Sequence, residues 1–214
     1  MPLSRTSLRT PLTSILGYLE LVLDEPGHED IREELQVVRR NAEHLLNLVN
    51  DLIAVASERV DLSLAETDIS RVLAMEVHAA LPKAAGNGLQ LVLDVEQPLR
   101  ARVDPERISQ VVRNLLSNAI KYSPSGGVIT ARATRTDEGL VCSITDTGLG
   151  MTEEEQDQAF TKFFRSARSR ETAIPGAGLG LPISKTIVEG HGGSISLDSE
   201  PGVGTTASFV LPSS

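Results

Sequence analysis

Hydrophobic residues in the first 59 positions recur at alternating steps of four and three, which predicts a helical hairpin. Pro26-Gly27 separates the two helices. Each helix can bury only one apolar stripe, so the seams predict a four-helix bundle formed by two copies of the chain. The alternative is a hairpin packed only on the following domain. The seam residues are Leu8, Leu12, Ile15, Leu19 and Val22, then Ile31, Leu35, Val38, Ala42, Leu45, Val49, Leu52 and Ala56.

From residue 60 the pattern changes to short alternating segments between shorter helices, which predicts an α/β two-layer sandwich. We therefore expect a hairpin over 1–59, a linker and first strand over 60–66, and a second domain over 67–214. Capping residues mark helix starts at Asp68, Asp104-Pro105 and Thr152, and a fourth helix covers 179–189. Strands are predicted at 60–64, 89–95, 102–103, 128–134, 140–145, 194–197 and 205–211.

Composition narrows the classes of partner. The 214 residues carry a net charge of −9, which argues against nucleic acid or an anionic membrane surface as the main partner. The single cysteine, Cys142, excludes a disulfide framework and is expected to pack in a core strand. No apolar run approaches the roughly 20 residues that span a bilayer. We expect a cytoplasmic protein segment without direct membrane contact.

Three polar residues, Asn114, Asn118 and Lys121, are spaced to lie on one face of a helix. Carboxamide oxygens are neutral, hard ligands that suit a magnesium ion already balanced by phosphates. The lysine adds a positive charge for phosphate. This pattern predicts a site for magnesium and a triphosphate; the alternative is a solvated polar face.

Asp146 directly follows a predicted strand and is followed by Gly148 and Gly150. A lone carboxylate in such a turn can accept a hydrogen bond from an adenine amino group. Many ordinary turns share this composition, so a plain turn is the alternative.

The glycine run Gly176-Ala-Gly178-Leu179-Gly180 opens a predicted helix. It follows a polar loop of about ten residues rather than a strand, which excludes a Rossmann fingerprint, and no Gly-Lys-Ser/Thr follows. We expect a mobile lid over phosphates. Basic residues flank or occupy the loop, either as phosphate ligands or as ordinary surface charge, and three phenylalanines would anchor its near end. These residues are Lys162, Arg165, Arg168 and Arg170, with Phe160, Phe163 and Phe164.

Together these stretches resemble the catalytic core of sensor histidine kinases. Each matches a sequence box of that family, in the family's order, over nearly the whole chain. The asparagine box is 114–122, the first glycine box 146–150, the phenylalanine box 160–164, the second glycine box 176–181 and the last small box 202–205. The resemblance implies a dimerisation hairpin followed by a Bergerat-type ATP-binding domain.

Roles for individual residues follow from the resemblance alone. Asp146 would hold the adenine amino group, and Thr205 would lie near the base. Asn118, helped by Asn114, would hold Mg²⁺. The second glycine box, with Gly176, Gly178, Leu179 and Gly180, would contact the nucleotide, as would Gly148 and Gly150. The phosphates of ATP would contact Lys121, Tyr122 and Arg165.

Hydrolytic relatives of this fold, such as gyrases, mismatch-repair proteins and chaperones, have a glutamate base where Asn114 stands. An asparagine cannot accept a proton in that way. The resemblance therefore favours phosphoryl transfer to an already nucleophilic imidazole, in which positioning and charge neutralisation do the catalysis. The implied partner is the receiver domain of a response regulator.

The phosphoacceptor histidine of the family's first helix is absent. Leu8-Arg-Thr-Pro-Leu12 matches the family motif, but Thr6 occupies the histidine position and Ser7 that of its acidic neighbour. His28, His44, His78 and His191 do not substitute for it. We expect no histidine autophosphorylation unless Thr6 and Ser7 are alterations of the natural residues. Alternatives are an ATP-binding pseudokinase or scaffold, or a phosphatase in which Thr10 orients water. A threonine acceptor at Thr6 would lack a base.

Overall fold

The structure, a computed structural model, describes residues 15–19, 22, 35–39, 42, 61–166, 174 and 177–212. By its internal contacts the chain divides into two compact units, 1–58 and 59–214. The predictions for Thr6, Ser7, Thr10, His28, His44, Arg168, Arg170 and Gly176 concern positions outside the described residues.

The described residues of the first unit, 15–19, 22, 35–39 and 42, are all helical. Leu19 and Ala42, both on the predicted seams, are buried. Ile15 and Val38 lie on the same seams, yet 45% and 46% of their surfaces are exposed in the single chain. The helical prediction is confirmed for these stretches, and the dimer stays a prediction.

The second unit is a five-stranded sheet with a separate two-stranded pair and four helices among its described residues. The large sheet has the order β2-β4-β5-β7-β6; β2 runs parallel to β4, and all other neighbours are antiparallel. The elements are β1 (Ala65–Asp68), α1 (Ile69–Gly86), β2 (Leu89–Val95), β3 (Arg100–Val103), α2 (Pro105–Lys121), β4 (Gly127–Thr136), β5 (Gly139–Asp146), α3 (Glu153–Gln158), α4 (Gly180–Gly190), β6 (Ser194–Glu200) and β7 (Gly204–Leu211). The predicted two-layer α/β sandwich is confirmed.

One predicted strand was misplaced. The described part of 60–64, residues 61–64, is not a strand, and β1 begins at Ala65. Ala65 pairs with Val103 and Asp68 with Arg100, so the available partner strand decides where β1 lies. The backbone N–H of Ser63 instead donates to Asp104 Oδ2 at 2.9 Å. Alternation alone misplaced the strand because it carries no information about the partner strand.

The core lies between the sheet and α1, α2 and α4. Along β5 alternate residues are buried, from Leu140 through Cys142 and Ile144 to Asp146. Ile108 and Val112 of α2 have no exposed surface. Burial raises the pKa of the Cys142 thiol to about 12, so this residue packs as a hydrophobic side chain, as predicted. Asp146 therefore stands where an apolar row ends.

None of the helices in the described ranges has both the length and the apolar character needed to cross a bilayer.

Candidate functional site

Asp146 ends β5 with only 7% of its surface exposed. Its Oδ1 accepts a hydrogen bond from the Gly148 N–H at 2.8 Å, and the backbone of Thr205 also donates to the carboxylate. Burial raises the pKa of Asp146, while these two backbone bonds act in the opposite direction. The carboxylate is thus held in one orientation on the helix-facing side of the sheet, ready to accept a further hydrogen bond.

Gly148, in the first glycine box, packs tightly against the end of the asparagine box. A side chain there would collide with the carbonyl of Tyr122 and come within 2.7 Å of Ser123 Oγ. The adjacent Leu149 N–H donates to the Tyr122 carbonyl at 2.9 Å. Glycine is needed here because the two backbones touch. The end of α2 and the first glycine box are thereby joined.

The first glycine box also joins the turn between β6 and β7. The Gly202 N–H donates to the Leu149 carbonyl at 2.8 Å, and Gly150 packs against the carbonyl of Glu200. Thr205 follows this turn and is the cross-strand partner of Asp146. Residues 50 or more positions apart in the sequence therefore meet at the end of the sheet.

Asn114 connects α2 to the helix that follows the second glycine box. Its Nδ2 donates to the Gly180 carbonyl at 3.2 Å and lies 3.4 Å from Ser184 Oγ. Ser184 is completely buried and itself donates to the Gly180 carbonyl. Because the amide nitrogen faces a carbonyl, Oδ1 is the atom of Asn114 that a cation could use.

Asn118, Lys121 and Tyr122 continue the half-buried edge of α2 toward its C-terminus. In the described part of the chain the Asn118 side chain has no hydrogen-bond partner. No three His, Cys, Asp or Glu side chains among the described residues cluster as a metal site. A magnesium ion here would need amide oxygens and ligand phosphates, and the donor chemistry of Asn114 and Asn118 fits that requirement.

The phenylalanine box and the second glycine box are linked at the two ends of the predicted lid. The Phe163 N–H donates to the Gly178 carbonyl at 3.0 Å. Phe163 has a φ of 65°, and Gly178, with a φ of 71°, would bring any side chain within 2.6 Å of the Phe164 carbonyl. Arg165 donates to the Ile174 carbonyl. This predicted phosphate ligand is therefore already engaged with the loop.

The other predicted contacts differ in their exposure. Leu179 is buried, Gly180 is half-buried and the Lys162 side chain is exposed. The structure thus gathers Asp146, Gly148, Gly150, Tyr122 and Thr205 at one end of the sheet, and Asn114 with Gly180 along α2.

Sequence reasoning missed two serines of this site. Ser123 is 1% exposed, and its hydroxyl has no hydrogen-bond partner among the described residues. Ser199 bonds Thr205, Gly204 and Met151. A serine next to the asparagine box and a serine in an alternating strand carry no local signal; only the close approach at Gly148 and the cross-strand register reveal them.

Two family models match this chain. Residues 7–59 match the His Kinase A (phospho-acceptor) domain, and residues 103–214 match the histidine kinase-, DNA gyrase B- and HSP90-like ATPase. The chain belongs to the histidine kinase family. This membership rests on both units.

Curated relatives agree with the family models. The chain is 34% identical to the circadian input-output histidine kinase CikA of Synechococcus elongatus over 96% of this chain and 28% of that protein. It is 37% identical to the virulence sensor protein BvgS of Bordetella bronchiseptica over 95% of this chain and 17% of that protein. It is 32% identical to the sensor histidine kinase WalK of Bacillus subtilis over 96% of this chain and 35% of that protein. The chain thus spans a third or less of the length of CikA and BvgS, and 35% of WalK.

Solved structures share the fold. Full-length ShkA in complex with AMPPNP matches with a TM-score of 0.79 and 28% identity, over 98% of this chain and 45% of that chain. The mycobacterial sensor histidine kinase MprB matches with a TM-score of 0.61 and 31% identity, over 70% of this chain and 97% of that chain.

Proposed function

We propose that this chain is the dimerisation and ATP-binding core of a two-component sensor histidine kinase, with a response-regulator receiver domain as its protein partner. Residues 1–59 would form the homodimer and 67–214 would bind Mg-ATP. The observation that carries the proposal is the meeting of three separate segments at Asp146. Gly148 packs on Tyr122 and Ser123, and Leu149 bonds Gly202.

In this proposal the Asp146 carboxylate accepts a hydrogen bond from the amino group of adenine, because its orientation is already set by Gly148 and Thr205. The triphosphate would extend along α2 toward Lys121 and Tyr122, under the loop that begins after Phe164. Asn118 and Asn114 would hold a magnesium ion, which supplies neutralisation of the phosphate charge. Lys121 and Arg165 would add positive charge to the same phosphates.

Asn114 supports transfer over hydrolysis. Its amide nitrogen donates to the Gly180 carbonyl, and an amide has no basic atom that could take a proton from water. Catalysis in this site would therefore consist of positioning and charge neutralisation. The incoming nucleophile would need to be reactive already, as a neutral imidazole is.

This chain lacks that imidazole at Thr6. We therefore expect the chain to bind Mg-ATP without phosphorylating itself. The decisive experiment incubates γ-labelled ATP with the unmodified chain and with the double mutant Thr6→His, Ser7→Glu. Acid-labile label on the double mutant alone is the expected result, and adding Asp146→Asn to that mutant should remove the label.

Two results would contradict the proposal. Acid-stable label on the unmodified chain would point to a hydroxyl acceptor, with Thr6→Val as the variant that locates it. Steady release of phosphate that disappears in Asn114→Ala would instead indicate a hydrolytic ATPase.

Thr10 favours a second candidate function, a phosphatase acting on a phosphorylated receiver domain. Thr10 lies in the matched motif Leu8-Arg-Thr-Pro-Leu12, and orienting water needs no histidine at position 6. The test measures loss of phosphate from receiver domains charged with acetyl phosphate. A rate increase that Thr10→Ala abolishes and Thr10→Ser retains would establish it; equal rates with and without the chain would exclude it for those receivers.

A further inference from the structure

Three polar side chains form a row across the end of the large sheet. Thr205 of β7 is the register partner of Asp146 on β5 and of Ser199 on β6. Directly opposed residues in antiparallel strands point to the same face. Asp146 faces the helix layer with Leu140 and Ile144, so Thr205 and Ser199 face it too. The row therefore runs from Asp146, the residue proposed to bind adenine, to Ser199 on the edge strand β6.

The hydroxyl of Ser199 is at the centre of three hydrogen bonds. It accepts from the Met151 N–H at 2.9 Å and donates to the Gly204 carbonyl at 2.9 Å. Its Oγ also lies 2.8 Å from Thr205 Oγ1. The carbonyl of Ser199 accepts from Gln156 Nε2 at 2.8 Å, which ties the same residue to α3.

The number of protons decides the direction of the bond between the two hydroxyls. A serine hydroxyl has one proton, and a carbonyl oxygen can only accept. Since Ser199 gives its proton to the buried Gly204 carbonyl, the bond between Ser199 and Thr205 needs the proton of Thr205. The proton of Thr205 is then turned toward Ser199, and its Oγ1 presents only lone pairs to any other group.

We infer that Ser199 is a positioning residue that fixes the Thr205 hydroxyl as a hydrogen-bond acceptor and so selects 6-aminopurine over 6-oxopurine nucleotides. The inference rests on the proposed function and deepens it. The end of the sheet then offers two acceptors side by side, the carboxylate of Asp146 and the lone pairs of Thr205.

The chemistry of the purine edge explains the selectivity. The 6-amino group of adenine has two N–H donors, whereas inosine has a carbonyl oxygen at that position. A carbonyl facing two acceptors leaves all three groups without a donor, which disfavours the 6-oxopurine. A water between Thr205 and the base preserves this preference: it must donate to Thr205, and its second proton suits the unprotonated N1 of adenine but not the N1–H of inosine.

The test compares equilibrium binding of ATP and inosine triphosphate to the full chain, by calorimetry, for the unmodified protein, Ser199→Ala and Ser199→Thr. Loss of Ser199 frees the Thr205 hydroxyl to rotate and donate. We expect Ser199→Ala to lower the ratio of ATP affinity to inosine triphosphate affinity by about three- to tenfold, the value of one hydrogen bond. Ser199→Thr keeps a hydroxyl and should retain the ratio.

Ser196→Ala is the matched control, because Ser196 lies on the same strand and is exposed on the opposite face. It should change neither affinity. Thr205→Val removes the acceptor without changing the side-chain shape much, and should lower ATP affinity with little effect on inosine triphosphate.

A purely structural role for Ser199 would weaken both nucleotides by the same factor, and that result would overturn the inference while leaving the proposed function in place. An unchanged ratio in Thr205→Val would overturn it in the same way. No binding of ATP by the unmodified chain would instead remove the proposed function, and the inference with it.

Discussion

Single residues at the end of β5 carry most of the proposed chemistry, and Asp146 is the clearest example. Its carboxylate is buried, so its ionised form is disfavoured, but two backbone N–H groups compensate in part. Because burial has the larger effect, the site contains a charge that the folded chain tolerates at a cost in stability. Such a cost is typical of a functional residue.

Asp146→Asn should remove ATP binding while the domain remains folded. The amide has only one acceptor oxygen, so it cannot replace the carboxylate, which accepts from both the backbone and the base.

The stability of the unmodified chain and of Asp146→Asn should also differ with pH. The pKa of Asp146 is raised, so its favourable contribution is present below the ordinary carboxyl range and is lost as pH rises through the raised value. Urea unfolding at several pH values should therefore show the unmodified chain losing stability relative to the variant as pH rises through that window.

Ser123 should be replaceable without loss of stability. Its hydroxyl is buried beside Gly148 and, within the part of the chain that the structure describes, has no hydrogen-bond partner. Leaving such a group unsatisfied costs on the order of 1 kcal/mol. Ser123→Ala should raise the free energy of unfolding by about 1 kcal/mol, measured by urea denaturation. Ser184→Ala is the contrasting variant: Ser184 is equally buried but donates to the Gly180 carbonyl, so its removal should destabilise.

At the scale of elements, α2 is the part of the fold that connects the most distant segments. Its N-cap residue, Asp104, accepts hydrogen bonds from the N–H of Arg107 at 3.1 Å and of Ser63 at 2.9 Å. The Asp104 N–H donates to His191 Nε2 at 2.9 Å, so the proton of His191 is on Nδ1, facing the Ile187 carbonyl. One cap thus joins the segment before β1 to the end of α4.

The two aspartate caps should therefore contribute different amounts to the free energy of unfolding. Asp68 caps α1 by accepting hydrogen bonds from the N–H and the hydroxyl of Ser70, and Asp68→Ala should cost about 1 kcal/mol. Asp104→Ala also leaves the Ser63 N–H without its acceptor, so it should cost about 2 to 3 kcal/mol in urea unfolding at neutral pH. Equal losses would mean that the bond to Ser63 contributes nothing.

The contribution of Asp104 to stability should shrink in acid. Burial alone would raise the pKa of Asp104, but its backbone hydrogen bonds outweigh burial and lower it. The stabilisation it provides is present above the ordinary carboxyl range and is lost as pH falls through the lowered value. Asp104→Asn, which retains an acceptor oxygen, should be less destabilising than Asp104→Ala at neutral pH.

At the scale of the whole molecule, the division into units over 1–58 and 59–214 suggests a separation of tasks. Ile15 and Val38 leave apolar surface exposed on the first unit, as a partner helix would require. The second unit has its own buried core.

A fragment of residues 60–214 should therefore fold and bind ATP with the affinity of the full chain, but remain monomeric. The full chain should be dimeric in sedimentation equilibrium, and Val38→Asp together with Ile15→Asp should make it monomeric without affecting ATP binding. Loss of ATP binding in the fragment would show that the hairpin takes part in the nucleotide site.

Local patterns predicted most elements correctly. The caps at Asp68, Asp104 and Thr152 each begin a helix, and the capping box of Thr152 with Glu155 is present. These features depend on residues within one turn of each other, so the sequence alone suffices to read them. The strand predicted at 60–64 failed because pairing with β3, rather than alternation, determines where β1 begins.

The sequence by itself therefore determined the family, the order of the elements and which polar residues are candidates for nucleotide binding, because periodicity, caps and boxes are local. Only the tertiary structure decided that Gly148 presses on Tyr122, that Asn114 bonds the Gly180 carbonyl, and that Asp146, Thr205 and Ser199 share one row. The physical reason is that strand register and the close approach of backbones arise from packing between segments far apart in the chain.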